Sequence, residues 1–422
     1  MHIFSSSFRQ TIFTRQMLIC CFTGFSSGLP LYFLINLIPV WLRTNGIDLT
    51  QIGLIALTSL PFTWKFLWAP LLDEIRPPFL GRRRGWMAIT QFILLLTLAS
   101  YAFFEPQYDL YLIMVLSLFV AFVSASQDVV LDAFRREILS DSQMGPGTAI
   151  HVNTYRVASL IPGSLSLILS DYYSWHWVFP ITALFMLPGI FMTLFLTSEP
   201  DITPPQLKTW KQRISEPFQE FFQRQGTKTA LLILSFTFLY KLGDSMATAL
   251  ATPFYMDLGF SRSEIGVISK NASLWPAIIS GLLGGILMLK IGINRALWLF
   301  GLVQMFSILG FAWLADYQYF SSIGFYEKTA LAIVIAIEAI GVGLGTAAFV
   351  AYIARETNPI YTASQMALFT SLAAVPRTIM NSAAGFLIDW LGYVPYFWLC
   401  FLLAVPGMLL LTKVAPWHEK TA

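Results

Sequence analysis

Long apolar runs separated by short polar breaks cover almost the whole chain. A helix needs about 20 mostly apolar residues to cross the hydrocarbon core of a bilayer. Twelve runs reach that length: 15–42, 50–73, 86–104, 111–134, 147–170, 175–197, 229–256, 263–289, 295–315, 329–354, 361–390 and 393–412. The longest polar break, Glu199 to Lys228, carries Pro200, Pro204 and Pro205 and divides the runs six and six. The pattern predicts an all-α integral membrane protein of 12 transmembrane helices in two pseudo-symmetric six-helix bundles, 1–198 and 229–422. A cytoplasmic linker, 199–228, joins them.

Composition agrees. The chain is 56% hydrophobic and 12% charged, against about 25% charged in soluble domains. A net charge of +3 is too small to imply nucleic acid. The distribution of cations says more than their sum. Most Lys and Arg fall in the N-terminus, the even-to-odd loops, the central break and the C-terminus; Arg43, Arg262 and Lys328 lie in the opposite loops. By the positive-inside rule both termini are expected to be cytoplasmic. Met1 to Gln16 is polar, and the apolar run after it continues as a full span, which predicts no cleavable signal peptide. Cys20, Cys21 and Cys400 all fall in apolar runs and have no metal or disulfide spacing. No phosphate loop, metal cluster or nucleophile–base motif is present. The expectation is therefore neither enzyme nor ATP-driven pump, with no cofactor and no metal.

The two halves repeat weakly. Ala69-Pro-Leu-Leu-Asp73 with Gly81-Arg-Arg-Arg-Gly85 closes span two, and Gly285-Ile-Leu-Met-Leu289 with Gly292-Ile-Asn-Arg295 closes span eight. Gly163 with Ser174-Trp-His-Trp-Val-Phe179 is echoed by Gly385 with Gly392-Tyr-Val-Pro-Tyr-Phe397. Two similar halves with a basic turn after the second helix resemble the major facilitator pattern, in which substrate binds between the halves near mid-membrane.

Charges inside the apolar runs carry the candidate chemistry, because a charge at bilayer depth costs at least a few kcal/mol and usually faces a water-filled path. The cations are Lys65, Arg156, Lys241, Lys270 and Arg377; the anions are Asp128, Asp132, Asp244 and Glu338. Residues four apart on a helix share a face about 6 Å apart, so Asp128, Asp132 and Arg135 or Arg136 stack on one side of span four. Asp132, near the basic turn, is expected to join Asp73, Arg82, Arg83, Arg84 and Arg136 in an ion-pair gate. Asp128 lies a turn deeper. A desolvated carboxyl group resists ionisation, which suits reversible protonation, so Asp128, Glu338 and Asp244 are the candidate proton carriers. The slight cationic excess suits a substrate with carboxylates, to be met by Lys241, Lys270, Arg377 and Arg156. Static buried pairs are the competing reading for any one of these, and Lys65 can also snorkel to the surface. Tyr155, Tyr240 and Trp275 adjoin polar positions and can stack on sugar rings, with packing as the alternative. Gly24…Gly28 and Gly341…Gly345 are small-residue spacings that allow close helix approach.

Several segments resemble AmpG-type muropeptide permeases: Gly24-Phe-Ser-Ser-Gly-Leu-Pro30, Lys65-Phe-Leu-Trp-Ala-Pro-Leu-Leu-Asp73, Pro77-Pro-Phe-Leu-Gly-Arg-Arg-Arg-Gly-Trp86, Ser124-Ala-Ser-Gln-Asp128 with Asp132-Ala133, Tyr240-Lys-Leu-Gly-Asp244, Gly345-Thr-Ala-Ala-Phe-Val350 and Ala363-Ser-Gln-Met-Ala-Leu368. They run in order through nearly the whole chain. The resemblance implies a multi-pass permease of a bacterial inner membrane. It would carry GlcNAc-anhydroMurNAc and its peptides inward with protons, for peptidoglycan recycling and β-lactamase induction. Its partners would be a small-molecule substrate, protons and lipid, with no nucleic acid, and it would be a monomer. The family's charged positions carry over as Asp128, Lys241, Asp244, Lys270, Glu338 and Arg377. Two features depart from the pattern: the best-known members continue past span twelve, and Pro376 precedes Arg377. Alternative expectations are a drug or siderophore exporter, an acetyl-CoA-type carrier, or a membrane sensor without flux.

Overall fold

A computed structural model describes residues 14–47, 60–200, 210–260, 262–316 and 324–417. Among the described residues all regular structure is helical. Among the described residues, eight stretches are long and apolar enough to cross a membrane: Arg15–Thr44, Arg82–Phe103, Pro106–Ile138, Trp175–Leu196, Thr227–Ala249, Val267–Asp316, Phe325–Glu356 and Tyr393–Val414. The sixth takes in two expected spans, because the chain turns at Gly292, whose φ of 78° is open to glycine and strained for other residues. Expected spans five and eleven are helical but more polar, and part of span two lies outside the described residues.

Contacts group the chain into two units. The first holds Met1–Gln143, Ile150–Phe221 and Thr357–Ser371; the second holds Met144–Ala149, Phe222–Glu356 and Leu372–Ala422. Each unit is discontinuous in sequence: 144–149 and 357–371 group apart from the segments that flank them.

The first unit begins with α1 (Arg15–Tyr32), a π-turn (Phe33–Leu37) and α2 (Ile38–Thr44). There follow α3 (Leu60–Trp64), a 3-10 turn (Lys65–Leu67), α4 (Ala69–Glu74), α5 (Arg82–Ser100) and α6 (Pro106–Ile138). Next are α7 (Asp141–Ala158), a second π-turn (Ile161–Leu165), α8 (Ser166–Tyr172), α9 (Trp175–Leu184) and α10 (Leu187–Phe191). Local chemistry sets several starts. Thr14 accepts a hydrogen bond from the Met17 amide at the head of α1, Ser140 and Gln143 form a capping box before α7, and Pro106 opens α6 where no amide is needed.

The expected linker, 199–228, contains a helix, α11 (Trp210–Gln225). Glu220 of α11 accepts hydrogen bonds from Asn358 (2.7 Å) and Gln365 (2.6 Å), and Phe221 packs edge-on against Phe369.

The second unit contains α12 (Thr227–Leu239), α13 (Leu242–Ala249), α14 (Ala251–Asp257), α15 (Arg262–Asp316), α16 (Phe325–Glu356), the later part of α17 (Thr362–Leu391) and α18 (Tyr393–Val414).

Each unit has an aromatic core. In the first, Trp41 meets Phe179 edge-on with ring centres 4.8 Å apart, and Phe33 meets Tyr101 at 5.2 Å. In the second, Phe397 meets Phe254 at 5.0 Å and Phe311 at 5.5 Å. Such pairs contribute about 0.5–1.5 kcal/mol each beyond their buried area. Outward from the core the surface stays apolar: Phe92 and Leu96 of α5 and Val115, Phe119 and Phe122 of α6 are all exposed. Such a surface suits hydrocarbon, where the helices satisfy their own backbone groups.

Gly24 and Gly28 let α1 touch the backbone of α7. A methyl group on Gly24 would overlap the His151 carbonyl and the Thr154 hydroxyl, and one on Gly28 would overlap the Tyr155 carbonyl. Both carbonyls are backbone and cannot swing aside. Gly24→Ala is therefore expected to destabilise the protein by about 1–3 kcal/mol, seen as a lower unfolding temperature in detergent. Unchanged stability would show that the seam relaxes freely.

Candidate functional site

In the first unit the charged cluster begins on α6. Asp128 is buried, and its Oδ1 accepts a 2.5 Å hydrogen bond from Ser27 Oγ of α1. The strongest opposing charge on it is Lys65, which is only 6% exposed and lies in the 3-10 turn between α3 and α4. Neutral groups brace this level. Gln127 donates to Ser26 Oγ at 2.7 Å, Thr193 donates to Gln91 at 2.8 Å, and the Trp68 indole donates to Ser126 at 2.9 Å. A buried carboxyl group with one hydroxyl donor and one nearby cation can hold or release a proton without breaking the packing around it.

One turn on, Asp132 lies 2.9 Å from Arg135 Nη1 and 3.9 Å from His151 Nε2 of α7. His151 Nδ1 lies 3.0 Å from Thr23 Oγ1 of α1. Asp132 thus pairs within its own helix and lies beside α7, not at the basic turn where the expected gate places it. Arg136 pairs with the exposed Asp141 at 3.6 Å.

The basic turn forms its own closed network. Arg83 is fully buried and makes ion pairs with Asp73 (2.7 Å) and Glu137 (2.6 Å), while Arg82 reaches Glu137 at 3.4 Å and donates to the Asp73 carbonyl. Two helix starts, each with free amides, are closed by carboxylates from elsewhere. Asp73 accepts from the Ala363 amide (3.1 Å), the Ser364 amide (2.7 Å) and Ser364 Oγ (2.5 Å) at the head of α17. Glu199 accepts from the Arg83 and Arg84 amides at the head of α5. Arg84 turns instead to the Thr193 and Leu194 carbonyls and the Thr197 hydroxyl.

In the second unit the helix breaks at Lys241, between α12 and α13, much as Lys65 sits at a break in the first. Lys241 Nζ donates to Thr346 Oγ1 at 2.9 Å and to Gln304 Oε1 at 3.3 Å. Gly345 makes room for that Gln304 amide, since a methyl group there would overlap Oε1. Asp244 lies in the first turn of α13, where the helix end favours negative charge. Tyr240 is buried, donates to the Leu297 carbonyl at 3.1 Å and stacks on Phe349. Glu338 is buried on α16 and interacts electrostatically with Tyr255. Trp275 is half exposed; Arg156 and Tyr155 are half-buried, Tyr155 edge-on to Tyr32. The side chains of Lys270 and Arg377 lie outside the described residues.

Glu137, Glu199, Ser364, His151, Thr23 and Thr346 belong to these networks and do not stand out in the sequence. His151 carries the one readable signal, a histidine inside an apolar run facing the Gly24 crossing.

Residues 20–375 match the Major Facilitator Superfamily. The chain is 54% identical to an uncharacterized protein of Haemophilus influenzae, over 99% of this chain and 98% of that one. It is 37% identical to the anhydromuropeptide permease of Escherichia coli, over 96% of this chain and 81% of that one. The crystal structure of the human organic anion transporter MFSD10 superposes with a TM-score of 0.71 at 13% identity, covering 94% of this chain and 99% of that chain, a likeness of fold.

Proposed function

Because the chain belongs to the Major Facilitator Superfamily, and within it to the AmpG-type branch, we propose that it imports anhydromuropeptides, driven by the proton gradient. It is a multi-pass transporter of the bacterial inner membrane and not an enzyme. The cargo reading comes from the Escherichia coli relative. The observation that carries proton coupling is Asp128: a buried carboxyl group on α6, tied to α1 through Ser27 and opposed by Lys65.

Protonation of Asp128 removes a charge that the site otherwise has to solvate, and so links proton binding to movement of the helices around it. Lys241, Lys270, Arg377 and Arg156 meet the substrate's carboxylates, and Tyr155, Tyr240 and Trp275 its sugar rings. The Asp73–Arg83–Glu137 network holds the cytoplasmic ends of α4, α5, α6 and α17 together, and its opening releases substrate inside. Glu338 and Asp244 complete the set of acids that exchange partners during the cycle.

The test is uptake of labelled GlcNAc-anhydroMurNAc-tripeptide into proteoliposomes, with and without an inward proton gradient. Accumulation that follows the gradient is expected. Accumulation that ignores it removes proton coupling. No uptake by folded protein removes the cargo, and a screen for ligands that raise thermal stability would then find the replacement.

A further inference from the structure

We infer that Asp132 is a proton-binding switch with a preformed partner for each of its two states: Arg135 for the carboxylate, and the Nε2 lone pair of His151 for the carboxylic acid. The inference rests on the proton-coupled reading above and adds a second acid to it, one the basic turn does not hold.

Thr23 sets the partner's chemistry. Its hydroxyl lies 3.0 Å from the Cys20 carbonyl in its own helix and 3.0 Å from His151 Nδ1. A threonine in a helix commonly donates to the carbonyl three or four residues back. With its hydrogen so used, Thr23 Oγ1 can only accept from the ring, so Nδ1 carries the hydrogen and, in the neutral ring, Nε2 keeps its lone pair. That nitrogen faces Asp132 Oδ1 across 3.9 Å, a gap closed by a small side-chain rotation or one bridging water. An ionised carboxylate has nothing to donate to a lone pair; a protonated one does.

The carboxylate's other partner is held loosely. Arg135 is buried and only 2.9 Å from Asp132, yet none of its guanidinium nitrogens makes a well-aligned hydrogen bond among the described residues. The ion pair is close but poorly directed, so protonation of Asp132 gives up little geometry on that side. The proton balance is simple. A proton arriving at Asp132 forms an O–H bond, the ion pair with Arg135 ends, and the O–H donates to Nε2 while the imidazole stays neutral. Release of the proton restores the pair.

Among the described residues, these groups surround Asp132. Arg135 and, one turn back, Asp128 come from α6; His151 comes from α7; α1 contributes the Thr23 hydroxyl and, beside Arg135, the Cys20 thiol. Lys65 acts on Asp128. The switch therefore ties α1, α6 and α7 together at the crossing made by Gly24.

Nitrogen-15 NMR of histidine-labelled full-length protein in detergent tests this without any substrate. The chain has four histidines, and His151→Leu identifies the resonance. Expected is a neutral Nδ1–H ring whose Nε2 signal moves as Asp132 gains its proton, with no such movement in Asp132→Asn. An Nε2–H ring, or an Nε2 signal indifferent to pH, overturns the inference. Thr23→Val, which keeps the side-chain shape, should release the tautomer and shift the pH dependence of uptake; an unchanged tautomer and profile also overturn it. In proteoliposomes His151→Leu should cut gradient-driven accumulation by about tenfold, the yield of one pH unit, while substrate counterflow persists. Equal loss of both would mark His151 as structural only. Failure of the wild type to move muropeptides would remove the cargo reading alone, since the NMR result stands apart from it.

Discussion

Asp128→Asn should reduce gradient-driven accumulation to the level seen with no gradient, in protein that is folded and inserted. The change preserves size and shape. Ser27 Oγ, which donates to Asp128 Oδ1 at 2.5 Å, can still donate to an amide oxygen. What is lost is the ability to change charge. For each proton moved per cycle, one pH unit of gradient supports about tenfold accumulation, or ~1.4 kcal/mol. A carrier whose proton site is fixed as neutral forfeits all of it, and counterflow becomes the informative control. Counterflow at wild-type rate with no accumulation assigns Asp128 to coupling. Wild-type accumulation would exclude that role.

Arg83→Ala should have the largest effect on stability. Arg83 is the cation shared by Asp73 and Glu137, and all three side chains are almost wholly buried. Removing one member of a buried ion pair costs about 3–5 kcal/mol, because the partner charge stays behind unsolvated. Here two acids are affected, and Glu137 keeps only Arg82, at 3.4 Å. Asp73 keeps its three hydrogen bonds at the head of α17 but not its counter-charge. Arg83→Lys should recover little, since an ammonium group lacks the planar fork that reaches both acids at once. Thermal unfolding in detergent gives the cost directly. A loss below 1 kcal/mol would show that Arg82 takes over.

The membrane class was readable from the chain because bilayer thickness imposes a length on every apolar run, and α6, α16 and α18 appear close to where those runs lie. Asp128, Glu338 and Lys65 stand out in the sequence as charges in an apolar context, and helical spacing puts Asp132 on one face with Arg135 or Arg136. Pairings between distant segments were not readable. Glu199 caps α5 from 116 positions away, and Asp73 caps α17 from 290 positions away. Nothing local distinguishes those carboxylates from others at the ends of spans. The helix breaks at Lys65 and Lys241 were hidden for a related reason. Neither residue is proline or glycine, the usual marks of a broken helix. Pro217 argues against a helix in the central break, yet α11 passes through it, docked on 358–369 by Glu220 and Phe221.

The sealing of Arg83 has a consequence for how the protein responds to its surroundings. Charges exposed to water weaken as ions gather around them, over about 10 Å at 0.1 M salt, whereas buried pairs are screened much less. With Arg83, Asp73 and Glu137 shut away from solvent, the strength of this clasp is set by the chain and hardly by the ionic strength of the water outside it. A swing in the salt around the protein would leave it unchanged.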